Sequence, residues 1–450
     1  MILTGPVIPT LARLTLPVIT VIAAQTFVAV LEAYWVSRLG TDAVAGVSLV
    51  LPLLVLIGTM SNGGIGGGVS SAVSRALGAG READADALLL HAVLVAIAFG
   101  AMFTVGTLVG GPFIYATLGG TGAVLANALT FSTWVFGSAV IIWVVNLLAS
   151  AMRGAGDVRL PALVSFTGVV VLIPLSPVLI FGVGPLPGLG LAGAGVAISL
   201  FYVGAMIAYL RHLIWRRGAL TLRLAPLEGR HFRAILGVGL VSAAGTLVAS
   251  LTAIALTGTV AMRGAEALAG YGIGSRVDSL LVPLLFGLGS GVVTMVGTAT
   301  GAGDHVRAGQ VASRAAAASF VATGMVGTFV ALDPGLWMNV FTTDGGVREA
   351  GSVYLRVAGP FYGFFGAGLL LYFASQGRSN MKWPFIASAA RLLVVAGGGY
   401  ALARSGAGLS VVFSAVGAGS VLFGGINAFG FYRSIRDLSL KRSQSPATTR

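Results

Sequence analysis

The sequence predicts an all-α polytopic membrane protein of twelve transmembrane helices, arranged as two parallel six-helix repeats. Three observations predict it. First, the 450 residues are 56% hydrophobic and 9% charged, with a mean hydropathy of +0.95, whereas a soluble domain carries about 25% charged residues. Second, apolar runs of about 20 residues, long enough to cross a bilayer as helix, recur from end to end. Third, short motifs return at an offset of 223 or 224 residues: GTDAVAG (40–46) as GAEALAG (264–270), GAG (78–80) as GAG (301–303), and RGAGDVRLP (153–161) opposite QGRSNMKWP (376–384). In the last pair Gly154 and Pro161 fall on Gly377 and Pro384. An even number of spans brings each copy back to the same side, so the repeats are related by an axis along the membrane normal.

The spans are expected near 14–36, 44–74, 88–110, 124–149, 160–182, 190–211, 234–261, 268–299, 310–332, 350–375, 384–403 and 409–432. The domains follow: an N-terminal six-helix lobe (1–213), a basic linker (214–233), a C-terminal six-helix lobe (234–432) and a basic tail (433–450). Glycine is abundant, with 67 residues, and small residues let membrane helices approach closely. The first span contains Pro17 and Gln25 and lacks a basic leader, which reads as a retained helix and not a cleaved signal.

Basic residues orient the chain. With the N-terminus in the cytoplasm, the inner segments hold Arg13, Arg75, Arg81, Arg153, Arg159, six arginines from Arg211 to Arg233, Arg307, Arg314, Arg378, Lys382 and five basic residues from Arg433 to Arg450. Those are 20 of the 27 lysines and arginines; the outer segments hold four, Arg38, Arg263, Arg348 and Arg404. Both ends are therefore expected inside a bacterial plasma (inner) membrane. The net charge of +13 then reflects topology and contact with anionic lipid, not nucleic acid. The partner it implies is the bilayer.

Several chemistries are excluded. There is no cysteine, and the four histidines form no ligand pair, so thiolate and histidine metal sites are not expected. SNGGIGGGVSSAVS (61–74) is glycine-rich but lacks the GK[ST] ending of a phosphate loop; close packing or bending explains it. No cofactor is expected.

Function is concentrated in two acids. Twelve of the 14 fall in expected loops or tails; only Glu32 and Asp278 lie within spans. A carboxylate at the centre of a membrane helix costs about 2.5–3.5 kcal/mol, and such residues mark ion, proton or substrate pathways. Glu32 in QTFVAVLEAYWVSRLG (25–40) lies six residues before Arg38, about 9 Å of helix. Gln25 and Trp35 share its face by spacing. A carboxylate, an amide and an aromatic ring on one face suit an exchange of protons for organic cations, the ring adding about 0.5–2 kcal/mol of cation–π attraction. The alternative is a structural acceptor between helices. Asp278, in GSRVDSLLVP, reads either as functional or as paired with an arginine on another helix. Arg276 and Arg391 are the candidates for that pairing, or for an anionic ligand. The aromatic stretch PFYGFFGAGLLLYF (360–373), with Tyr362, suits a cavity for flat cations or simple packing; Trp134, Trp143 and Tyr202 carry the same two readings.

YWVSRLGTDAVAGVSLVLP (34–52), VSSAVSRALGAG (69–80), MRGAGDVRLP (152–161), SPVLIFGVGPLPGLGLAGAGVA (176–197), YGIGSRVDSLLVPLLFGLGSG (271–291) and GTATGAG (297–303) resemble the multidrug and toxic compound extrusion (MATE) family, over essentially the whole chain. The resemblance implies a V-shaped pair of six-helix lobes working by alternating access. It also implies export of cationic amphipathic compounds in exchange for protons or sodium. Glu32 takes the place of the family's first-span aspartate. Ser176, Leu172 and Ile198 stand where the family has an aspartate, an asparagine and a threonine. The reduced oxygen set favours protons over sodium, since hard cations want several oxygen ligands. Glu32 and Asp278 are thus the expected coupling groups, and Gln25, Trp35, Ser176, Tyr362 and Arg276 the expected cavity residues. A monomer suffices, because the duplication supplies both halves. Three other readings are a flippase for lipid-linked sugars or polysaccharide, hinted at by Arg276 and Arg391, a membrane-embedded receptor or scaffold, and a membrane-embedded enzyme, for which the spans offer little beyond Glu32 and Asp278.

Overall fold

In the computed structural model, residues 2–215 and 218–444 are described, and nearly all are helical. The first six spans are α1 (Val7–Ser37); α2 (Thr41–Thr59), which runs through a π-helical turn (Met60–Gly64) into α3 (Ile65–Gly78); α4 (Glu82–Thr117); α5 (Gly122–Gly137) with α6 (Ala139–Gly154); α7 (Arg159–Phe181); and α8 (Leu191–Ile214). A two-residue antiparallel pairing, β1 (Gly182–Val183) with β2 (Leu186–Pro187), closes the α7–α8 turn. The second six are α9 (Gly229–Ala261); α10 (Ala265–Gly274) with α11 (Arg276–Gly301); α12 (His305–Leu332), followed by the short α13 (Gly335–Phe341); α14 (Gly345–Ala358) with α15 (Tyr362–Gly377); α16 (Lys382–Leu392) with α17 (Gly399–Arg404); and α18 (Leu409–Gln444). Among the described residues eleven spans are long and apolar enough to cross a membrane, and the α5–α6 pair, bent by 48°, counts as a twelfth when taken as one span.

Every expected span has its helix, but the helices overrun the expected bounds. The acids explain this. Asp42, Glu82, Asp84 and Glu266 were expected in loops and instead sit in the first turns of α2, α4 and α10. There they complement the partial positive charge of a helix N-terminus.

The repeat is visible atom by atom. Gly40 and Gly264, 224 residues apart, precede α2 and α10 with φ of 106° and 103°, a region where a side chain is strained. Gly154 ends α6 against the backbone of Ser70 on α3, and Gly377 ends α15 against the backbone of Val293 on α11. Those partners are themselves 223 residues apart. The matched motifs thus mark one helix crossing, made twice.

The chain forms two compact units. One comprises Leu14–Leu77 and Arg81–Gly239; the other comprises the chain from Leu240 onward, with the chain start through Arg13 and Gly78–Gly80. The division thus falls inside α9, a few residues beyond the expected linker. In the first unit the core is a continuous apolar cluster that includes Phe136, Trp143, Leu147 and Leu148.

The linker was expected as a basic segment on the cytoplasmic side; of its arginines, Arg216 and Arg217 lie outside the described residues. The described part docks on the first unit. The Thr221 N–H donates to Asp86 Oδ1 at 2.7 Å, and the Glu228 N–H donates to His91 Nε2 at 3.0 Å. His91 Nδ1 lies 2.7 Å from the Ala87 carbonyl, which fixes the proton on Nδ1 and leaves Nε2 as acceptor. Arg230 bridges Asp84, at 3.0 Å, and Glu228, and its hydrogen bonds hold the Glu228 carboxyl below the ordinary carboxylate range. Asp86→Ala is expected to speed amide exchange at Thr221 by roughly tenfold or more, the scale of a hydrogen bond to a charged acceptor. Unchanged protection there would show that the linker is held by other contacts. The basic tail continues α18 as far as Gln444; residues 445–450 lie outside the described residues.

Candidate functional site

The first unit holds Glu32 in a seam between α1, α7 and α8. Val28 of α1 packs with Val169 and Leu172 of α7 and Ala197 of α8, flanked by Ala24, Leu179 and Phe201. About two turns further along α1, Trp35 meets Phe181 edge-on at 6.2 Å between ring centroids. Glu32 lies between these two contacts on α1, and Ser176 lies between them on α7. Tyr202 of α8 is near enough to Glu32 to feel its charge. The sequence folds this way because the α1 and α7 faces are apolar at helical spacing, with Glu32 and Ser176 as the breaks in those faces.

Three polar atoms in this seam are buried without a hydrogen-bond partner among the described residues: Glu32 Oε1, Ser176 Oγ and Trp35 Nε1. Glu32 as a whole is only partly buried, so one carboxylate oxygen is enclosed while the residue stays reachable. An ionised carboxylate without donors in apolar surroundings is costly. A proton or an organic cation relieves that cost. Leu172, buried in the seam, and Ile198 add no oxygen. No cluster of three or more acidic, histidine or cysteine side chains occurs among the described residues. Gln25 is exposed. Trp143 is fully buried and stacked on Phe99 at 5.1 Å, so of its two readings it takes the packing one. Trp134 is half exposed.

Asp278 belongs to the second unit. α10 ends at Gly274 and α11 begins at Arg276, so the break at Ser275 puts Asp278 in the first turn of α11. Tyr354 of α14 donates its hydroxyl to Asp278 Oδ2; Tyr362 of α15 lies near the same carboxylate, and its buried hydroxyl has no hydrogen-bond partner among the described residues. Tyr354 in turn packs edge-on against Tyr271 at 5.2 Å and Phe413 at 5.1 Å. The arginine facing this cluster is Arg391, which feels the Asp278 charge without forming an ion pair. Arg276 points elsewhere, with its guanidinium over the Phe341 ring at 5.2 Å. Tyr362 is thus placed with Asp278, and Arg276 is not. Tyr354 was not foreseen: it lies 76 residues from Asp278, and no local pattern links the two.

A duplicated six-helix membrane bundle that holds an acid within its spans in each unit, Glu32 in one and Asp278 in the other, has the build of a membrane transporter. The particular family is given by comparison. The MatE family profile matches residues 17–178 and 242–400, so the chain belongs to the MATE family. It is 25% identical over 385 residues to the FAD transporter of Shewanella oneidensis, covering 83% of this chain and 82% of that one. It is 26% identical over 385 residues to the probable multidrug resistance protein NorM of Thermotoga maritima, covering 84% and 81%. Among solved structures, a MATE transporter in a bent conformation superposes with a TM-score of 0.91 at 22% identity, covering 98% of both chains.

Proposed function

We propose that this protein exports cationic amphipathic compounds across a bacterial inner membrane by alternating access, in exchange for protons carried on Glu32. The observation that supports it is the enclosed, unpartnered Oε1 of Glu32, in the seam that Trp35 and Phe181 close. Protonation from outside neutralises Glu32 and removes its hold on a cation, which leaves outward. Deprotonation toward the cytoplasm restores the hold. Protons are favoured over sodium because Ser176 is the one α7 hydroxyl in the seam, and a hard cation wants several oxygens. With the N-terminus inside, the basic residues lie on the cytoplasmic side, and the protein works as a monomer without a cofactor. Asp278 is a second coupling group in the second unit.

Ethidium efflux from cells expressing the protein tests this, with and without an uncoupler. The proposal expects efflux that the uncoupler stops. Efflux that persists at full rate under the uncoupler, with sodium present, would overturn proton coupling.

A further inference from the structure

Arg391 is the buried cation to which the reading above gives no task. It lies on α16, and its guanidinium is stacked over Phe365 of α15 at 4.7 Å and within 6.0 Å of Phe423 of α18. It therefore faces the inside of the second unit's bundle and not lipid. Its Nε is buried without a hydrogen-bond partner, and it forms no ion pair among the described residues. The nearby acid is already engaged: Asp278 accepts from Tyr354, with Tyr362 close by. The neighbourhood thus holds one satisfied carboxylate and an arginine with uncommitted donors. An intramembrane arginine is normally paired with an acid or with backbone carbonyls. With its guanidinium carbon over the Phe365 ring and its Nε unpartnered, it offers planar N–H donors that suit a carboxylate or a phosphate.

We propose that Arg391 receives the anionic group of a transported compound. The inference rests on the exporter reading and widens its substrate class. The substrates include aromatic zwitterions and organic anions, not cations alone. Glu32 in the first unit offers an acceptor, whereas Arg391 in the second offers donors.

A matched pair of dyes tests it: a rhodamine with a free benzoate and the methyl ester of the same dye. Binding to the purified protein in nanodiscs is followed by fluorescence anisotropy. The wild type is expected to hold the free acid about tenfold or more tighter than the ester, the scale of a charge-assisted pair away from water. Arg391→Gln should abolish that preference and leave ester binding within about twofold. Arg391→Lys, which keeps the charge but loses the planar fork, should keep part of it. Equal wild-type affinity for the two dyes overturns the proposal even if the Gln variant fails to fold. A parallel fall for both dyes in the Gln variant also overturns it, by showing a packing role. Dye flux in proteoliposomes is scored separately. Binding with the expected preference but no flux counts against the exporter reading and leaves the Arg391 assignment standing.

Discussion

Replacing Glu32 by Gln is expected to abolish proton-driven export while the protein still folds and reaches the membrane. The amide matches the carboxyl in size, so the seam around Val28, Leu172 and Ala197 keeps its packing. What is lost is the ability to alternate between charged and neutral. One charge crossing 100 mV supplies about 2.3 kcal/mol, so losing one coupled proton should lower the steady-state drug gradient by roughly fifty-fold. Passive equilibration would remain. The measurement is ethidium accumulation in energised cells, with surface-accessible protein quantified alongside. Wild-type efflux by the Gln variant would make Glu32 a structural acceptor and move coupling to Asp278. Glu32→Asp is the companion variant. It keeps the titratable group and shortens the reach by one methylene, so it should retain measurable uncoupler-sensitive efflux.

Gly154→Val is expected to cost the most stability. A Cβ at Gly154 would lie 2.6 Å from the Ser70 carbonyl oxygen and 2.8 Å from its Cα. Both are backbone atoms of α3, so no side chain can swing aside. Relief requires α3 and α6 to separate in a bundle whose buried residues pack on both helices. Overpacking of this kind costs about 1–3 kcal/mol and more when backbone must move. The thermal midpoint of the detergent-solubilised protein should fall by several degrees, or the protein should fail to accumulate. Gly58 is the control: a Cβ there meets nothing within 4 Å, so Gly58→Ala should be neutral or slightly stabilising. Equal effects at the two positions would show that the α3–α6 crossing is looser than described.

The spans were legible because hydropathy is a local property that a bilayer reads directly. The duplication was legible because its marker glycines carry backbone demands. Gly40 and Gly264 need positive φ, and Gly154 and Gly377 need a missing Cβ; such demands survive when apolar side chains have drifted. The breaks inside spans were legible only in part. The π-helical turn at Met60–Gly64 opens the glycine-rich stretch read as packing or bending, whereas the turn at Leu393–Gly398 and the bend after Gly137 were not singled out. Glu32 stood out because an acid in an apolar run is conspicuous by itself. Its setting did not follow from local spacing: Ser176 was joined to it only through the family resemblance, and Tyr202, on another helix, was read as either cavity or packing. The same holds for Tyr354 with Asp278 and for Arg391 on Phe365. These pairings depend on which helix faces which, and helix periodicity carries no such information. The arginines show the limit of counting charge. Read as topology, Arg230 and Arg378 are simply inside; in the fold Arg230 holds Asp84 and Glu228, and Arg378 donates to Ser434 at 2.6 Å.

The central claim is that a proton on Glu32 drives export. The most direct measurement uses purified protein in proteoliposomes, with ethidium flux driven first by a proton gradient without sodium, then by a sodium gradient at equal pH. The account predicts flux with the proton gradient alone in the wild type and none in Glu32→Gln. Flux that requires sodium and ignores the proton gradient would contradict it, as would proton-driven flux of wild-type size in Glu32→Gln.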